Sequence, residues 1–227
     1  MKIAFISDIH SNLHALIKVL EEMEKEGIDE IYCCGDIVGY NAFPSECVDL
    51  IRKKIKLSVK GNHDYATVTG NTSWFNEYGV AGVNYSRQML SEGDMDFLKG
   101  LNKYEYLDIG NRRIYIAHGS PRDEMFEYVF PDKSEEDLFD MTRFIDADII
   151  VLGHTHIPMK RKIGKKLILN PGSVGQPRDG NPDASFMVID DNNVTFRRGK
   201  YDIRKAANAI LEKGLPRFLA QRLYLGI

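Results

Sequence analysis

Short apolar runs alternate with helically spaced apolar positions along the first third of the chain. The run "KIAFIS" predicts a buried strand that ends at Asp8. Residues 11–27 follow with apolar side chains three and four positions apart, which predicts a helix capped by Ser11 or Asn12 and stopped by Gly27. "EIYCCG" predicts a second strand, Pro44 opens a second helix to about residue 55, and "KLSVKGNHD" predicts a third strand. This alternation favours a parallel sheet with right-handed crossovers.

The pattern changes in the second half. From Ser73 to Leu101 it is mainly helical, and "YEYLDI-GN-RRIYIAHG" then predicts a hairpin with a Gly-Asn turn. A helix over about residues 134–145 leads into the strand "DIIVLGHTH", and two more hairpins are predicted to turn at Gly164 and at Asn192-Asn193. Two short helices separated by "GLP" end the chain. We expect one α/β domain over residues 1–201, with a helical tail over residues 202–227 packed on it.

Composition narrows the function classes. With 227 residues, 43% hydrophobic and 28% charged, the chain has the balance of a soluble globular protein. The formal net charge of -3 provides no basic field, so we expect no stable binding to nucleic acid. No segment approaches the ~20 apolar residues of a membrane helix. The odd count of 3 cysteines favours a reducing, cytoplasmic location. The tail could cap the domain or pair subunits in a homo-oligomer.

Polar side chains follow the apolar runs in five places. The segments are "SDIH", "GDIVGY", "GNHD", "AHGS" and "GHTH", and they contain five of the 6 histidines. In open α/β sheets, ligands bind outside the carboxyl ends of the strands, so we expect these segments to form one site. His14 stands apart in the first predicted helix, where a solvated or capping role is expected.

The residue types in these segments are metal ligands. Asp8 and His10, two positions apart, would project from the same side of an extended strand end, as would His154 and His156, and each pair can hold a cation. Imidazoles with carboxylates suit Zn, Mn or Fe. The seven candidate donors, more than one tetrahedral zinc uses, are Asp8, His10, Asp36, Asn62, His118, His154 and His156. If Asp36 bridges, two metals obtain four protein ligands each, an arrangement used for in-line attack at phosphorus.

The ordered set of motifs resembles the calcineurin-like metallophosphoesterase superfamily. The motifs are Asp8-Ile9-His10, Gly35-Asp36, Gly61-Asn62-His63-Asp64, His118-Gly119 and Gly153-His154-Thr155-His156. All five occur in family order, and "LNPGSVGQPR" extends the similarity to Arg178. The sequences "GDIVGY" and "NPGSVGQPR" are most similar to those of the small prokaryotic branch described as phosphodiesterases or as diadenosine tetraphosphatase-related. The resemblance implies an α/β fold, a four-layer α-β-β-α sandwich of two mixed sheets flanked by helices.

The resemblance also implies roles for the ligands. Asp8, His10 and His156 would bind the first metal, Asn62, His118 and His154 the second, and Asp36 would bridge them. A bridging hydroxide would attack phosphorus in a phosphodiester, a nucleotide or a dinucleoside polyphosphate. Two divalent ions are expected, manganese first, with Fe, Zn, Ni or Co as alternatives. His154 and His156 would serve different metals, and Thr155 between them would face away.

Three further residues are candidates for catalysis. In the family pattern His63 contacts the substrate phosphate and protonates the leaving oxygen, a role suited to a pKa near 7. Asp64 would orient His63 or cap a helix, and Arg178 would contact phosphate or lie on a loop surface. The residues proposed for substrate selectivity, with core packing or a dimer contact as the alternative for the last five, are Tyr40, Asn41, Trp74, Phe75, Phe126, Tyr128 and Phe130.

Two other functions remain open from the sequence. A phosphoprotein or phosphomonoester phosphatase would use the same metal site. A non-catalytic metal-binding scaffold for protein recognition is the second alternative, but loss of metal ligands would be expected in such a protein. Every ligand of the family pattern is present in this chain.

Overall fold

Ten strands and eight helices make up the described residues, 1–191 and 193–227, of the computed structural model. The strands are Lys2–Ile6 (β1), Glu30–Cys33 (β2), Leu57–Ser58 (β3), Tyr104–Ile109 (β4), Arg112–Ala117 (β5), Ile149–Val151 (β6), Met159–Ile163 (β7), Lys166–Asn170 (β8), Ala184–Asp190 (β9) and Asn193–Gly199 (β10). The helices are Leu13–Lys25 (α1), Pro44–Lys54 (α2), Asn62–Thr69 (α3), Glu77–Met89 (α4), Glu92–Gly100 (α5), Glu135–Thr142 (α6), Ile203–Glu212 (α7) and Arg217–Leu225 (α8).

Both sheets are mixed. The first has the order β10-β9-β1-β2-β3, in which β1, β2 and β3 run parallel and β9 and β10 pair antiparallel. The second has the order β4-β5-β6-β8-β7, with a parallel centre of β5, β6 and β8 and antiparallel strands at both edges. The carboxyl ends of β1, β2, β5 and β6 therefore carry the segments that the sequence singled out.

The two sheets pack face to face, with helices outside. Phe5 of the first sheet and Ile116 and Leu169 of the second lie in the apolar cluster between them. The outer face of the first sheet is covered by α1 and α2, and the outer face of the second by α6. Burial of these apolar faces is the main stabilising contribution to the fold. The predicted four-layer α-β-β-α sandwich is confirmed.

Local signals placed most elements correctly. The Asn12 side chain caps α1, and Pro44 is the first residue of α2. Hairpins turn at Gly110-Asn111 and after Ile163, where Gly164 has a positive φ. Strands β9 and β10 pair as predicted, but Asn192 of the predicted turn lies outside the described residues.

The third predicted strand is largely wrong. Strand β3 contains two residues, and Asn62, His63 and Asp64 form the first turn of helix α3. The Asp64 carboxylate accepts a hydrogen bond from the Gly61 amide at 3.0 Å, which satisfies one of the free N–H groups at this helix start. The metal-ligand segment therefore lies at a helix N-terminus, and not at an extended strand end.

The tail forms two helices, α7 and α8, on either side of residues 213–216. Its buried Ile210, Leu215, Leu219 and Leu223 share an apolar cluster with Tyr40 of the β2–α2 loop. The tail therefore contacts one of the motif loops. Within the described residues, no helix combines the length and apolarity that crossing a membrane requires.

Candidate metal centre

Seven predicted ligands converge where the two sheets meet. Asp8 and His10 follow β1, Asp36 follows β2, Asn62 starts α3, and His118 follows β5, while His154 and His156 follow β6. All seven side chains are buried. Ligand atoms fall into two main groups, one of Asp8, His10 and His156 and one of Asp36, His118 and His154. The structure brings together every metal ligand that the sequence predicted.

The sequence predicted extended backbone at the ligands, but the structure shows a different conformation. Positive φ angles occur at Asp8 (53°), His10 (47°), Asp36 (55°), His154 (69°) and His156 (62°). Residues other than glycine rarely adopt this left-handed conformation, and each instance costs of order 1 kcal/mol or more. The residues named from the strand ends do converge, but their backbone conformation was predicted wrongly. Tight left-handed turns aim the side chains inward.

Each carboxylate has one oxygen anchored and one directed at imidazoles. Asp8 Oδ2 accepts from the His154 amide at 3.1 Å, and Asp8 Oδ1 lies 3.2 Å from His156 Nε2. Asp36 Oδ1 accepts from the His63 amide at 2.8 Å, and Asp36 Oδ2 lies 3.6 Å from His10 Nε2 and 3.3 Å from His118 Nε2. Asp36 therefore lies between the two groups, as a bridging ligand would.

Main-chain carbonyl groups fix the orientation of the four imidazoles. His10 Nδ1 donates to Val38 O at 3.1 Å, His118 Nδ1 donates to Cys34 O at 2.8 Å, and His156 Nδ1 donates to Gln176 O. His154 is turned the other way, with Nε2 donating to Phe126 O at 3.2 Å. A carbonyl only accepts, so each bonded nitrogen carries a hydrogen, and the other nitrogen of each ring is the one that can bind a metal when it carries no proton.

These other ring nitrogens face one another, and this contact tests whether the site fits a metal. His10 Nε2 lies 3.1 Å from His156 Nε2, and His118 Nε2 lies 3.1 Å from His154 Nδ1 and 3.0 Å from Asn62 Oδ1. Asp8 Oδ1 is buried without a hydrogen-bond partner among the described residues. Burial, the largest cause, lowers the pKa of His10, His154 and His156 well below the usual value, so they stay neutral. Converging neutral acceptors fit divalent cations.

The remaining charges depend on one another. Burial raises the pKa of Asp8 to about 7. Burial also opposes the charged form of His118, but the Asp36 carboxylate more than offsets it and raises the His118 pKa to about 9. Burial likewise opposes ionisation of Asp36, but His118 and His63 hold its pKa below the usual range. In the metal-free protein, protons therefore occupy part of the ligand set at neutral pH.

His63 lies against the first metal group. Its ring contacts His10, Tyr40 and Phe75 at centroid distances of 4.7, 4.5 and 4.5 Å. One of its nitrogens is within 4.8 Å of ligand atoms of His10 and Asp36, so by distance alone His63 is an additional donor. Burial lowers its pKa to about 4. His63 is therefore neutral at pH 7 and has an N–H to donate.

Asp64 contacts backbone and not the His63 ring. Its Oδ1 accepts from the Ile37 and Val38 amides at 2.9 and 3.2 Å, and its Oδ2 accepts from Gly61. The carboxylate thus ties the start of α3 to the loop that carries Asp36. This contact pattern favours the capping alternative of the two that the sequence left open.

Other predicted residues divide between the cleft and its supports. Tyr40 and Arg178 line a cleft of about 180 Å³ above the ligands, together with Trp74, Phe75 and Tyr128. Trp74 is 75% exposed, so of the two alternatives to a role in selectivity, core packing is wrong for this residue. Tyr128 stacks on the His154 ring, and Phe126 contacts Trp74. Phe130 stacks on Tyr128 outside the cleft.

Asn41 and His14 have other partners. The buried Asn41 side chain donates to the His10 main-chain oxygen at 2.7 Å and so supports a ligand, whereas contact with a base was expected. His14 is half-buried with its ring edge on Phe43, while Asn12 provides the cap that was considered for His14.

Several residues support the ligands through contacts that the sequence did not predict. Asn170 donates to Gly153 O at 2.6 Å and to the Thr155 hydroxyl at 3.0 Å, so it fixes the turn between the two histidines and holds Thr155. Ser173 donates to the Asp8 main-chain oxygen at 2.7 Å. Both lie in "NPGSVG", whose similarity to the family was the available signal. Arg222 of α8 also lines the cleft, and no motif marks it.

Comparison with known proteins decides the family. The family model of the calcineurin-like phosphoesterase superfamily domain matches residues 1–193. The chain belongs to this superfamily. Members of this metal-dependent family hydrolyse phosphoester bonds, and the chain is therefore a phosphoester-hydrolysing enzyme.

Three relatives of this phosphoesterase illustrate the range of similarity. An uncharacterized protein of Methanocaldococcus jannaschii, MJ0912, is 41% identical over 99% of this chain and 98% of its own length. The phosphodiesterase YfcE of Escherichia coli is 25% identical over 85% of this chain and 89% of its own length. The crystal structure of a metallophosphoesterase from Sphaerobacter thermophilus superposes with a TM-score of 0.86 and 33% identity, covering 100% of this chain and 99% of that chain.

Proposed function

We propose that this phosphoesterase hydrolyses phosphodiester bonds with two divalent metal ions. The first is held by Asp8, His10 and His156, the second by Asn62, His118 and His154, and Asp36 contributes to both. The observation that carries the proposal is the pair of close contacts between facing imidazole nitrogens, one in each group, with Asp36 Oδ2 near both. Manganese as the metal and the cytoplasm as the location stay predictions.

The chain's own residues prepare the site for the reaction. Bound divalent cations activate water and neutralise charge on phosphoryl oxygens. The four carbonyl contacts orient the imidazoles before any ion binds. His63, neutral and with a hydrogen to donate, is suited to bind a phosphoryl or leaving oxygen by a hydrogen bond, and a bound phosphate would raise its low pKa. Arg178 adds positive charge at the same cleft.

The cleft supports a nucleotide-like diester as substrate. Trp74 exposes its ring at the mouth, and Phe75 and Tyr128 extend the aromatic wall toward the ligands. Such rings stack on nucleobases at a favourable energy of about 1–3 kcal/mol per base. The named activity of YfcE supports a diester over a monoester or phosphoprotein. The complete ligand set supports catalysis over a scaffold role.

The experiment is hydrolysis of bis(p-nitrophenyl) phosphate by protein stripped of metal and then reloaded. We expect turnover with Mn²⁺, none in chelator, and a loss of about 100-fold or more in Asp36→Asn, which removes a charge shared by both ions. The matched control is His14→Ala, the histidine outside the site, which should retain turnover. Hydrolysis without metal would refute the proposal, as would full activity of Asp36→Asn. A protein that binds metal in stoichiometric amounts but refuses every phosphoester would support the scaffold alternative.

A further inference from the structure

Arg222 reaches the metal cleft from outside the family domain. It belongs to α8, and the family match ends at residue 193. Leu215, Leu219 and Leu223 bury one side of the tail, and the half-buried Arg222 lines the cleft that also contains His63 and Arg178. The tail therefore contributes a charged side chain to the site as well as apolar packing.

Two guanidinium groups flank one aromatic ring in this cleft. The Arg178 and Arg222 guanidinium carbons lie 6.0 and 5.8 Å from the centroid of the Tyr40 ring. Such cation–π contacts hold guanidinium planes in place. Arg222 Nε donates to the main-chain oxygen of Ile227 at 2.6 Å, and Arg178 Nη2 donates to Gln176 Oε1 at 3.1 Å. Both side chains are therefore positioned before a ligand binds.

This positive charge is not balanced by a side-chain carboxylate. Among residues 1–191 and 193–227, the hydrogen bonds of the two guanidinium groups go to Gln176 Oε1 and to Ile227 O, and neither acceptor is an aspartate or glutamate side chain. Arg178 Nε is buried without an acceptor. Burial and then the neighbouring Arg178 lower the pKa of Arg222 to about 10, which still leaves it charged at pH 7. Two adjacent, partly buried cations are costly unless an anion binds between them.

The two arginines differ in their distance from the metal ligands. The Arg178 main-chain amide donates to the main-chain oxygen of His156 at 3.3 Å. Arg222 comes from α8, and its guanidinium contacts the Tyr40 ring and the Ile227 main-chain oxygen. We therefore expect an anion held by both arginines to lie beside the scissile phosphate and not on it.

We propose that Arg178 and Arg222 together bind a second phosphoryl group of the substrate. This inference rests on the proposed function and narrows it to diesters or anhydrides that carry a further phosphate. Guanidinium forks match phosphate oxygens in a bidentate geometry that a lysine cannot reproduce. Because Arg222 comes from the tail, the selectivity for this second phosphate depends on residues outside the family domain.

The test compares two substrates that differ by one phosphate. Diadenylate and 5′-phosphorylated diadenylate have the same scissile bond and the same bases. With Mn²⁺, we expect the wild-type enzyme to favour the phosphorylated form by about tenfold or more in kcat/KM, mainly through KM. Arg222→Gln should bring the ratio near one by lowering kcat/KM for the phosphorylated form far more than for diadenylate. Diadenosine tetraphosphate is assayed in parallel, and it shows whether the enzyme binds a second phosphate in an anhydride chain or one esterified to a sugar.

Controls separate binding from folding. Arg217→Gln removes the same charge from an exposed position on α8 and should keep the wild-type preference. Arg222→Lys keeps the charge, loses the fork, and should retain part of the preference. Arg222 also holds the Ile227 main chain, so melting temperature and metal content are measured for each variant. An equal loss on both substrates, or no preference in the wild-type enzyme, overturns this inference. Failure of every substrate with metal bound overturns the proposed function instead.

Discussion

At the scale of single residues, His154 and His156 show how two ligands only two positions apart belong to different ligand groups. One residue separates them, both have a positive φ, and the intervening Thr155 is held by Asn170 on the opposite side. His154 offers Nδ1 to the group of Asp36 and His118, and His156 offers Nε2 to the group of Asp8 and His10. The tight turn therefore divides the pair.

His154→Ala and His156→Ala should each lose one metal, and a different one. The remaining group keeps its ligands in each variant, so we expect about one Mn²⁺ per chain by native mass spectrometry instead of two. Turnover should fall about 100-fold or more in both, because losing even an outer contact to a metal ligand costs about 10–100-fold. His14→Ala should keep two metals. Two retained metals and full activity in either site variant would refute the assignment.

Metal affinity should rise with pH. Asp8, with a pKa of about 7, and His118, with a pKa of about 9, hold protons in the metal-free protein below those values, and metal binding must displace them. Between pH 7 and pH 8, easier loss of the His118 proton should by itself lower the apparent Kd for Mn²⁺ by about tenfold, and the effect should level off above pH 9. Calorimetric titrations in buffers of different ionisation enthalpy measure the released protons. An affinity independent of pH from 6.5 to 8.5 would contradict this linkage.

At the scale of elements, the sequence predicted positions better than conformations. The apolar pattern located β1, β2, α1 and α2, because these elements bury one face and the pattern records that face. It did not reveal α3, whose short length and low amphipathicity leave no periodic signal. Asp64 also ties the start of α3 to the distant Ile37 and Val38 amides, and a local reading of "GNHD" contains no information about those amides.

Helix α4 packs directly on the turn that carries Tyr40, and Gly82 permits this contact. A Cβ at Gly82 would lie 2.3 Å from the Tyr40 backbone nitrogen. We expect Gly82→Ala to lower the free energy of unfolding by about 1–3 kcal/mol and to disturb the cleft, because the backbone must move. Gly93→Ala in α5 is the matched control, since its nearest neighbour is 3.9 Å away.

The control should behave in the opposite way. Gly93→Ala should gain about 0.5–1 kcal/mol from helix propensity and leave turnover unchanged. Urea unfolding of both variants measures the difference. If Gly82→Ala proved as stable and active as the wild type, α4 would not set the position of the Tyr40 turn.

At the scale of the whole molecule, five motifs from separate parts of the chain converge because two sheets meet at their polar ends. Their order in the sequence was sufficient to predict the fold and to name the residues that the structure brings together. The contribution of the tail was not predictable, since Arg222 belongs to an ordinary amphipathic helix. Only the packing of Leu219 and Leu223 on the Tyr40 cluster brings that arginine to the cleft.

The central claim, that one site holds two ions and needs both, is tested most directly by metal titration. Metal-free protein is titrated with Mn²⁺ while bound metal and phosphodiester hydrolysis are followed together. For the wild-type protein we expect saturation at two ions per chain, with activity appearing as the second ion binds. For Asp36→Asn we expect one or no bound ion and no activity. Full activity at one ion per chain would contradict it.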